Sequence, residues 1–260
     1  MTALPDDPLR LESEDNLALL LINSPRRRNA LSAPILAALQ NALSRIAHDE
    51  RVGAVVIGSA MEGVFASGGD IRELQALQGS TAGLHFAQSA QRVFQAIESF
   101  PRPVVAAIDG YCLGAGAELV MAADMRIASD RSVFASPQVG LGITPGLGGG
   151  QRLLRLCGRA SARRLILTGE RIDAAEALRL GLVESVVPPA VLWDTAKAIA
   201  MRLASKPREA LERAKRMVNY ASQAGLTDGC AYEASQFGLA CAVGYLRQRG
   251  IEGEGVPGCG

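Results

Sequence analysis

Two stretches of this chain place glycines where a strand-like run gives way to a helix, and each carries an acid close behind. In Val64-Phe-Ala-Ser-Gly-Gly-Asp-Ile-Arg-Glu73, Gly68 and Gly69 permit unusual backbone angles and close approach of a ligand. Asp70 and Glu73 have the spacing of a capping box, in which both acids satisfy orphan donors at a helix start. In the stretch from Asp109 to Asp124, a strand runs into Gly114-Ala-Gly116 and then into an apolar helix with Glu118 near its beginning. A helix N-terminus presents unpaired N–H groups and a positive dipole end, a suitable cradle for a developing oxyanion. Glu118 lies among Ala117, Leu119, Val120 and Met121, so it is expected to be partly buried, and desolvation raises a carboxyl toward acid/base use. The competing structural role for Glu118 is first-turn dipole stabilisation of its own helix.

Other chemistries find less support. His48 and His85, the two histidines, both fall in predicted helices without a Ser or Cys partner nearby in sequence, which speaks against a His-based triad. The phosphate-loop pattern is absent, and neither Gly114-Ala-Gly116 nor Gly146-Leu-Gly148 completes a dinucleotide fingerprint. Cys112, Cys157, Cys230, Cys241 and Cys259 are odd in number and widely spaced, with no C-x-x-C pair to suggest zinc. They read as reduced thiols in a cytoplasmic protein and give no sign of a metal site.

The positioning elements follow from hydrophobic period. Leu17 to Ile22, Gly53 to Gly58 and Val104 to Ile108 are short apolar runs ended by turn formers, as in buried strands. Leu36, Leu39, Leu43 and Ile46 recur at helical spacing after a start signal at Ser32 and Pro34. Phe86, Ala90, Val93, Phe94 and Ile97 define a second helix from Thr81 to Ser99, stopped by Phe100-Pro-Arg-Pro103. Strand and helix alternate, which predicts an α/β fold, and from about Ser161 the pattern becomes helical. The division expected is a core over 1–190 and a helical assembly region over 191–260, without a long linker. No internal repeat is visible beyond the glycine-rich loop Gly140 to Gly150 and the glycine-rich tail.

Composition narrows the partners. Against 27 basic residues stand 26 acidic ones, so no whole-chain field favours nucleic acid or an anionic membrane. Aromatic residues are too few to stack single-stranded nucleic acid. The first fifteen residues are acidic, unlike a transit peptide, and the apolar run that follows is too short to span a bilayer.

Across both glycine segments the chain resembles the enoyl-CoA hydratase/isomerase (crotonase) superfamily. Further blocks extend the likeness: Asn23 to Leu31, Pro137 to Leu153 and Leu167 to Val183. The resemblance implies a spiral of ββα units with a helical C-terminal trimerisation region, assembled as a homotrimer or dimer of trimers. It implies an acyl-CoA substrate, with coenzyme A part of the substrate, and makes the backbone N–H groups of Gly69 and Ala115, beside Gly114, the oxyanion donors. Glu118 matches one of the hydratases' two catalytic glutamates. Where the second is expected stands Gln138, which can hold a water but cannot ionise. Arg26 is assigned to a coenzyme A phosphate, with Arg27 and Arg28 as helpers, and the segment Ala66, Gly68, Asp70, Ile71 and Arg72 to the adenine and pantetheine path. The tail from Gly250 departs from the family's amphipathic helix, which weakens any role for Arg247 or Arg249.

The leading expectation is a hydro-lyase acting on 2-enoyl-CoA, with Glu118 as base and acid and Gln138 holding the water. An enoyl-CoA isomerase needs only one carboxyl group and is the alternative. A non-catalytic coenzyme A- or RNA-binding relative is a third class, and it lacks the lysine-rich helix expected for RNA.

Overall fold

The computed structural model describes residues 7–243. Two sheets organise residues 7–206. The larger has the strand order β1 (Leu9–Glu14), β2 (Leu17–Ile22), β3 (Ala54–Ser59), β5 (Val104–Ile108), β7 (Met125–Ser129) and β10 (Ser185–Val187). All neighbours are parallel except β1 against β2. The smaller has the order β4 (Val64–Ala66), β6 (Tyr111–Leu113), β8 (Val133–Ala135) and β9 (Arg171–Asp173).

The continuous apolar runs arise because both faces of the large sheet are covered, the usual condition of parallel strands. Leu20, Val55, Ile57 and Ala106 point toward α1 (Ala33–Ala47) and α3 (Gly79–Glu98), burying Leu39, Leu43, Phe94 and Ile97. Leu17, Leu19, Val56 and Val105 face the other way, where α7 (Leu192–Ala204) lays down Leu192, Ala196 and Ala200. Trp193 packs so closely that a Cβ at Gly58 would meet its ring at 2.5 Å. This corrects the expected division at residue 190. Helix α7 belongs to the core because its small-residue stripe closes the second sheet face, and the compact unit runs through Lys206.

A repeating path underlies the fold. The chain makes a strand of the large sheet, a strand of the small sheet, then a helix: β3, β4 and α2 (Ile71–Ala76) with α3; β5, β6 and α4 (Ala115–Val120); β7, β8 and α5 (Gly149–Thr168). These are the ββα units that the resemblance implied. The helical character expected from Ser161 onward is interrupted by β9, α6 (Ala174–Arg179) and β10, whose strands are only three residues long. Strand β1, absent from the sequence reading, is a mostly polar edge strand.

From Pro207 a second compact unit follows. Its α8 (Arg208–Ala221) and α9 (Leu226–Ala242) pack together, with the rings of Tyr220 and Tyr232 stacked at 4.2 Å. Arg247, Arg249, Cys259 and the glycine-rich tail lie outside the described residues. Among the described residues no helix is long and apolar enough to cross a membrane, and Cys112, Cys157, Cys230 and Cys241 are free thiols.

Asn29 ties the loop after β2 to three strands. It is fully buried at φ +53°, a left-handed angle that Asn tolerates better than most residues. Its Nδ2 donates to Ile22 O, Ser59 Oγ and Phe65 O at 3.2, 2.8 and 3.1 Å, and its Oδ1 accepts from Ser24 N at 2.7 Å. Asn29→Ala breaks all of these bonds at once, and although Ile22 O keeps Ala60 N and Ser59 Oγ keeps Met61 N and Val64 O, the loss of the buried hub is expected to lower stability by about 2–4 kcal/mol. An unfolding free energy from urea titration that falls by less than a quarter of that would show the hub to be dispensable.

Candidate active site

Strands β4, β6 and β8 run parallel, so the chain leaves each of them at the same end of the small sheet. From β4 it enters Ser67-Gly-Gly-Asp70, from β6 it enters Gly114 and α4, and from β8 it enters a 3-10 turn, Pro137–Leu141, carrying Gln138. The three exits converge on a cavity of about 780 Å³ lined by Gly68, Gly69, Gly114, Ala115, Glu118 and Gln138. Its apolar wall includes Leu31, Leu74, Leu77, Phe86, Leu141 and Ile143.

Close approach of the first two exits depends on glycine. Gly68 has φ +126° and Gly114 has φ +49°, and a Cβ at Gly114 would lie 3.6 Å from Gly68 Cα. Helix α4 presses on β4 so tightly that a Cβ at Gly116 would stand 2.6 Å from Ala66 Cβ. The neighbours of Gly69 are engaged: Leu31 N donates to Gly68 O and Asp70 N to Leu31 O. Among the described residues no acceptor takes the N–H of Gly69 or of Ala115, the first residue of α4. A Cβ on Gly69 would be 4.0 Å from Ala115 Cβ, so the two free donors border one space. Such a pair is suited to an oxygen that gains charge during reaction.

Glu118 is 2% exposed and accepts three hydrogen bonds. Leu147 N and Gly149 N donate to Oε2 at 2.9 and 2.8 Å, and Gln138 Nε2 donates to Oε1 at 2.9 Å. The expected first-turn role is therefore replaced: the carboxylate is held by the N-terminus of α5, not by that of its own helix. Gly149 must be glycine, since a Cβ there would come within 2.1 Å of Glu118 Cγ. Burial raises the Glu118 carboxyl above its ordinary value, against the opposing pull of the two amides, Gln138 and Arg152. Among the residues lining the cavity it is the one carboxyl. Gln138, also buried, has its Oε1 without a partner among the described residues.

The other expected residues divide. Ile71 lines the cavity, but Ala66 is fully buried behind it and Arg72 is exposed with its N–H held by Asp70 Oδ1. Asp70 is 4% exposed and pairs with Arg27. Burial acts to raise its carboxyl, but Arg27 and the Arg72 amide outweigh this and hold it below its ordinary value. The expected capping box is half formed: Asp70 caps α2, while Glu73 instead accepts from Ala33 N at the start of α1, 2.9 Å away. Arg27, not Arg26, lines the cavity, although both are exposed residues of the 3-10 turn Pro25–Arg27. The glycine-rich loop Gly140 to Gly150 supplies the two amides that hold the Glu118 carboxylate. A glycine run opening directly into a helix is a signal for anion-binding amides, and here the anion is the protein's own Glu118.

Residues 12–251 match the enoyl-CoA hydratase/isomerase family. The chain is 38% identical over 251 residues to a short-chain-enoyl-CoA hydratase of Clostridium acetobutylicum, covering 94% of this chain and 96% of that protein. It is 40% identical over 233 residues to a crotonyl-CoA hydratase of Syntrophomonas wolfei, covering 90% and 89%. Among solved structures, an enoyl-CoA hydratase from Bacillus anthracis superposes with a TM-score of 0.84 at 34% identity, covering 88% of this chain and 89% of that one. The chain belongs to the enoyl-CoA hydratase/isomerase family, and its fold is the crotonase fold.

The raised carboxyl has a consequence for stability. A group whose folded-state value lies above its unfolded value loses stability as pH rises through the folded value. In acid, below the ordinary carboxylate value, both states are protonated and no penalty remains. Glu118→Gln removes the charge and keeps an oxygen for the two loop amides, and a flip of the Gln138 amide lets Gln138 Oε1 accept from the new Nε2. Its melting temperature is expected to exceed that of the parent at about pH 8, with the difference vanishing toward about pH 4. A constant offset across that range would refute the buried-charge account.

Proposed function

We propose that the protein hydrates short 2-enoyl-CoA thioesters. The observation that carries this reading is the enclosure, in one apolar cavity, of two unengaged backbone donors, a buried carboxyl of raised proton affinity and a buried amide with a free acceptor oxygen. The names of the relatives from Clostridium acetobutylicum and Syntrophomonas wolfei support a short acyl chain.

In the proposed reaction the thioester carbonyl oxygen accepts from Gly69 N–H and Ala115 N–H. Water transfers one proton to the Glu118 carboxylate while its other hydrogen stays on the oxygen and is hydrogen-bonded to Gln138 Oε1, and that oxygen bonds to the β-carbon as the α,β double bond shifts into an enolate. The oxyanion is held by the two amides, a contribution of about 3–4 kcal/mol per donor in comparable sites. Glu118, now protonated, delivers the proton to the α-carbon, so that H and OH have been added and the carboxylate is regenerated. This chemistry calls for no cofactor. Arg27 at the cavity wall, with Arg26 beside it, offers charge to the phosphates of coenzyme A.

One observation favours a second reading. Gln138 does not ionise, so a lone carboxyl remains to carry protons, as an isomerase moving a double bond along the acyl chain requires. The hydratase names of the relatives favour hydration. Purified protein is expected to turn over 2-enoyl thioesters faster than 3-enoyl thioesters, and Glu118→Gln to lower kcat by about two to four decades with ligand binding retained. Faster conversion of the 3-enoyl substrate would select the isomerase, and near-normal turnover of the variant would remove Glu118 from the chemistry.

We also propose assembly into a homotrimer or dimer of trimers. The support is the exposure of Val218, Leu226 and Phe237 on α8 and α9, more apolar helix surface than a pair of helices leaves open in a monomer. Light scattering at micromolar concentration should give the mass of three or six chains; a monomer alone would overturn this.

A further inference from the structure

The turn Leu147–Gly149 lies between two opposite charges. On one side its N–H groups, from Leu147 and Gly149, grip Glu118 Oε2. On the other side Arg152, one turn into α5, folds back beneath it. Arg152 Nη1 approaches Leu147 O at 3.5 Å, and a Cβ at Gly148 would stand 2.6 Å from the same nitrogen. Successive glycines thus give room to the guanidinium at 148 and to the Glu118 side chain at 149. Arg152 is itself mostly buried, and its Nη2 donates to Glu98 Oε2 of α3 at 2.6 Å. From the same helix, Gln91 Nε2 reaches Gly146 O at 2.7 Å, so α3 secures this loop at two points.

The charges around Glu118 are few. Helix α4, the Pro137–Leu141 turn and the glycine loop bring neutral groups to it, and α5 brings Arg152, the charge bearing on the carboxylate. The charge facing Arg152 is Glu98, and Arg27, elsewhere on the cavity wall, is tied to Asp70. A tie between α3 and α5 would account for Arg152 and Glu98 alone. It does not account for a guanidinium lodged under the one turn whose amides hold the acid/base candidate.

We propose that Arg152, anchored by Glu98, is a positioning residue for Glu118: it clamps the Leu147–Gly149 turn against the carboxylate and supplies the positive charge that favours its ionised form. It is not among the residues that line the cavity. The assignment rests on the reading of Glu118 as the base, and the test separates the two. With a four-carbon 2-enoyl-CoA as substrate, kcat/KM is followed over pH for the parent, Arg152→Gln and Arg152→Lys, and kcat for Glu118→Gln. Removing the positive charge makes Glu118 harder to ionise, so the acid limb of Arg152→Gln is expected to move up by about one pH unit, with kcat affected more than KM. Arg152→Lys keeps the charge and should return most of that shift.

An unmoved limb in folded Arg152→Gln overturns the assignment, even where its melting temperature has fallen, whereas near-normal kcat in Glu118→Gln overturns the reading beneath it. If Arg152→Gln does not fold, Glu98→Gln carries the test. Relieving Arg152 of its counter-charge should move the limb to lower pH, and a limb that stays in place or rises overturns the assignment.

Discussion

A carboxylate taken out of water must be given donors, and at Glu118 two of the three come from the backbone and one from Gln138. Two amides on one oxygen require a turn that aims the N–H groups of Leu147 and Gly149 inward, and that turn leads into α5. The approach leaves no volume for side chains, so Gly149 lies flat against the carboxylate stem and Gly148 takes φ +91°. The same crowding extends backward. Glu118 reaches α5 only because α4 sits hard on β4, with Gly116 against Ala66. Glycines far apart in sequence therefore answer one demand, and most substitutions at them would displace the same acid.

The repeated path of the chain explains how distant segments meet at this carboxylate. Each turn of the spiral leaves the small sheet in the same direction, and β6, paired to both β4 and β8, puts its exit in the middle. The free N–H groups of Gly69 and Ala115 belong to the first two exits, Gln138 to the third, and Glu118 to the helix begun at the second. Strands of three residues suffice because β4 and β8 each bury a phenylalanine completely, Phe65 and Phe134. Both strands read Val-Phe-Ala and are followed by a serine, Ser67 and Ser136, a short sequence echo of the structural repeat.

What was legible in the sequence follows from these lengths. The runs at Leu17, Ala54 and Val104 stand out because parallel strands covered on both faces are apolar throughout. A tripeptide carries no period, so β4, β6, β8, β9 and β10 left no comparable mark, and β1 was masked by its charges. Helix α7 falls in the stretch expected to be helical, but whether its apolar stripe meets a sheet or another subunit is a tertiary matter. The same holds within the site. Glu118 was identified from its apolar setting and from family likeness, whereas its partners come from 20, 29 and 31 residues further on, where no local spacing announces them. Arg26 and Arg27 are adjacent and chemically equal. Only the fold shows which lines the cavity.

Gln138 is where family likeness and chemistry pull apart, and the geometry gives that departure a physical sense. Its amide donates to one Glu118 oxygen, and this fixes the amide so that Oε1 is left unpaired in a buried site. A second glutamate at this position would face Glu118 at hydrogen-bonding distance. Two carboxylates that close do not both ionise readily in an apolar cavity, so the pair would share a proton and titrate together. With glutamine the ionised form of Glu118 is favoured by a neutral donor instead of opposed by a like charge. Under the proposed reading the unpaired Oε1 is what a water bound between the two side chains would donate to, since its other hydrogen points at Glu118. The site then loses a second proton carrier while keeping both contacts that aim the water, and every proton transfer in the cycle falls to the same carboxyl group. That places the whole pH response on one residue, so whatever adjusts the charge around Glu118 adjusts the enzyme.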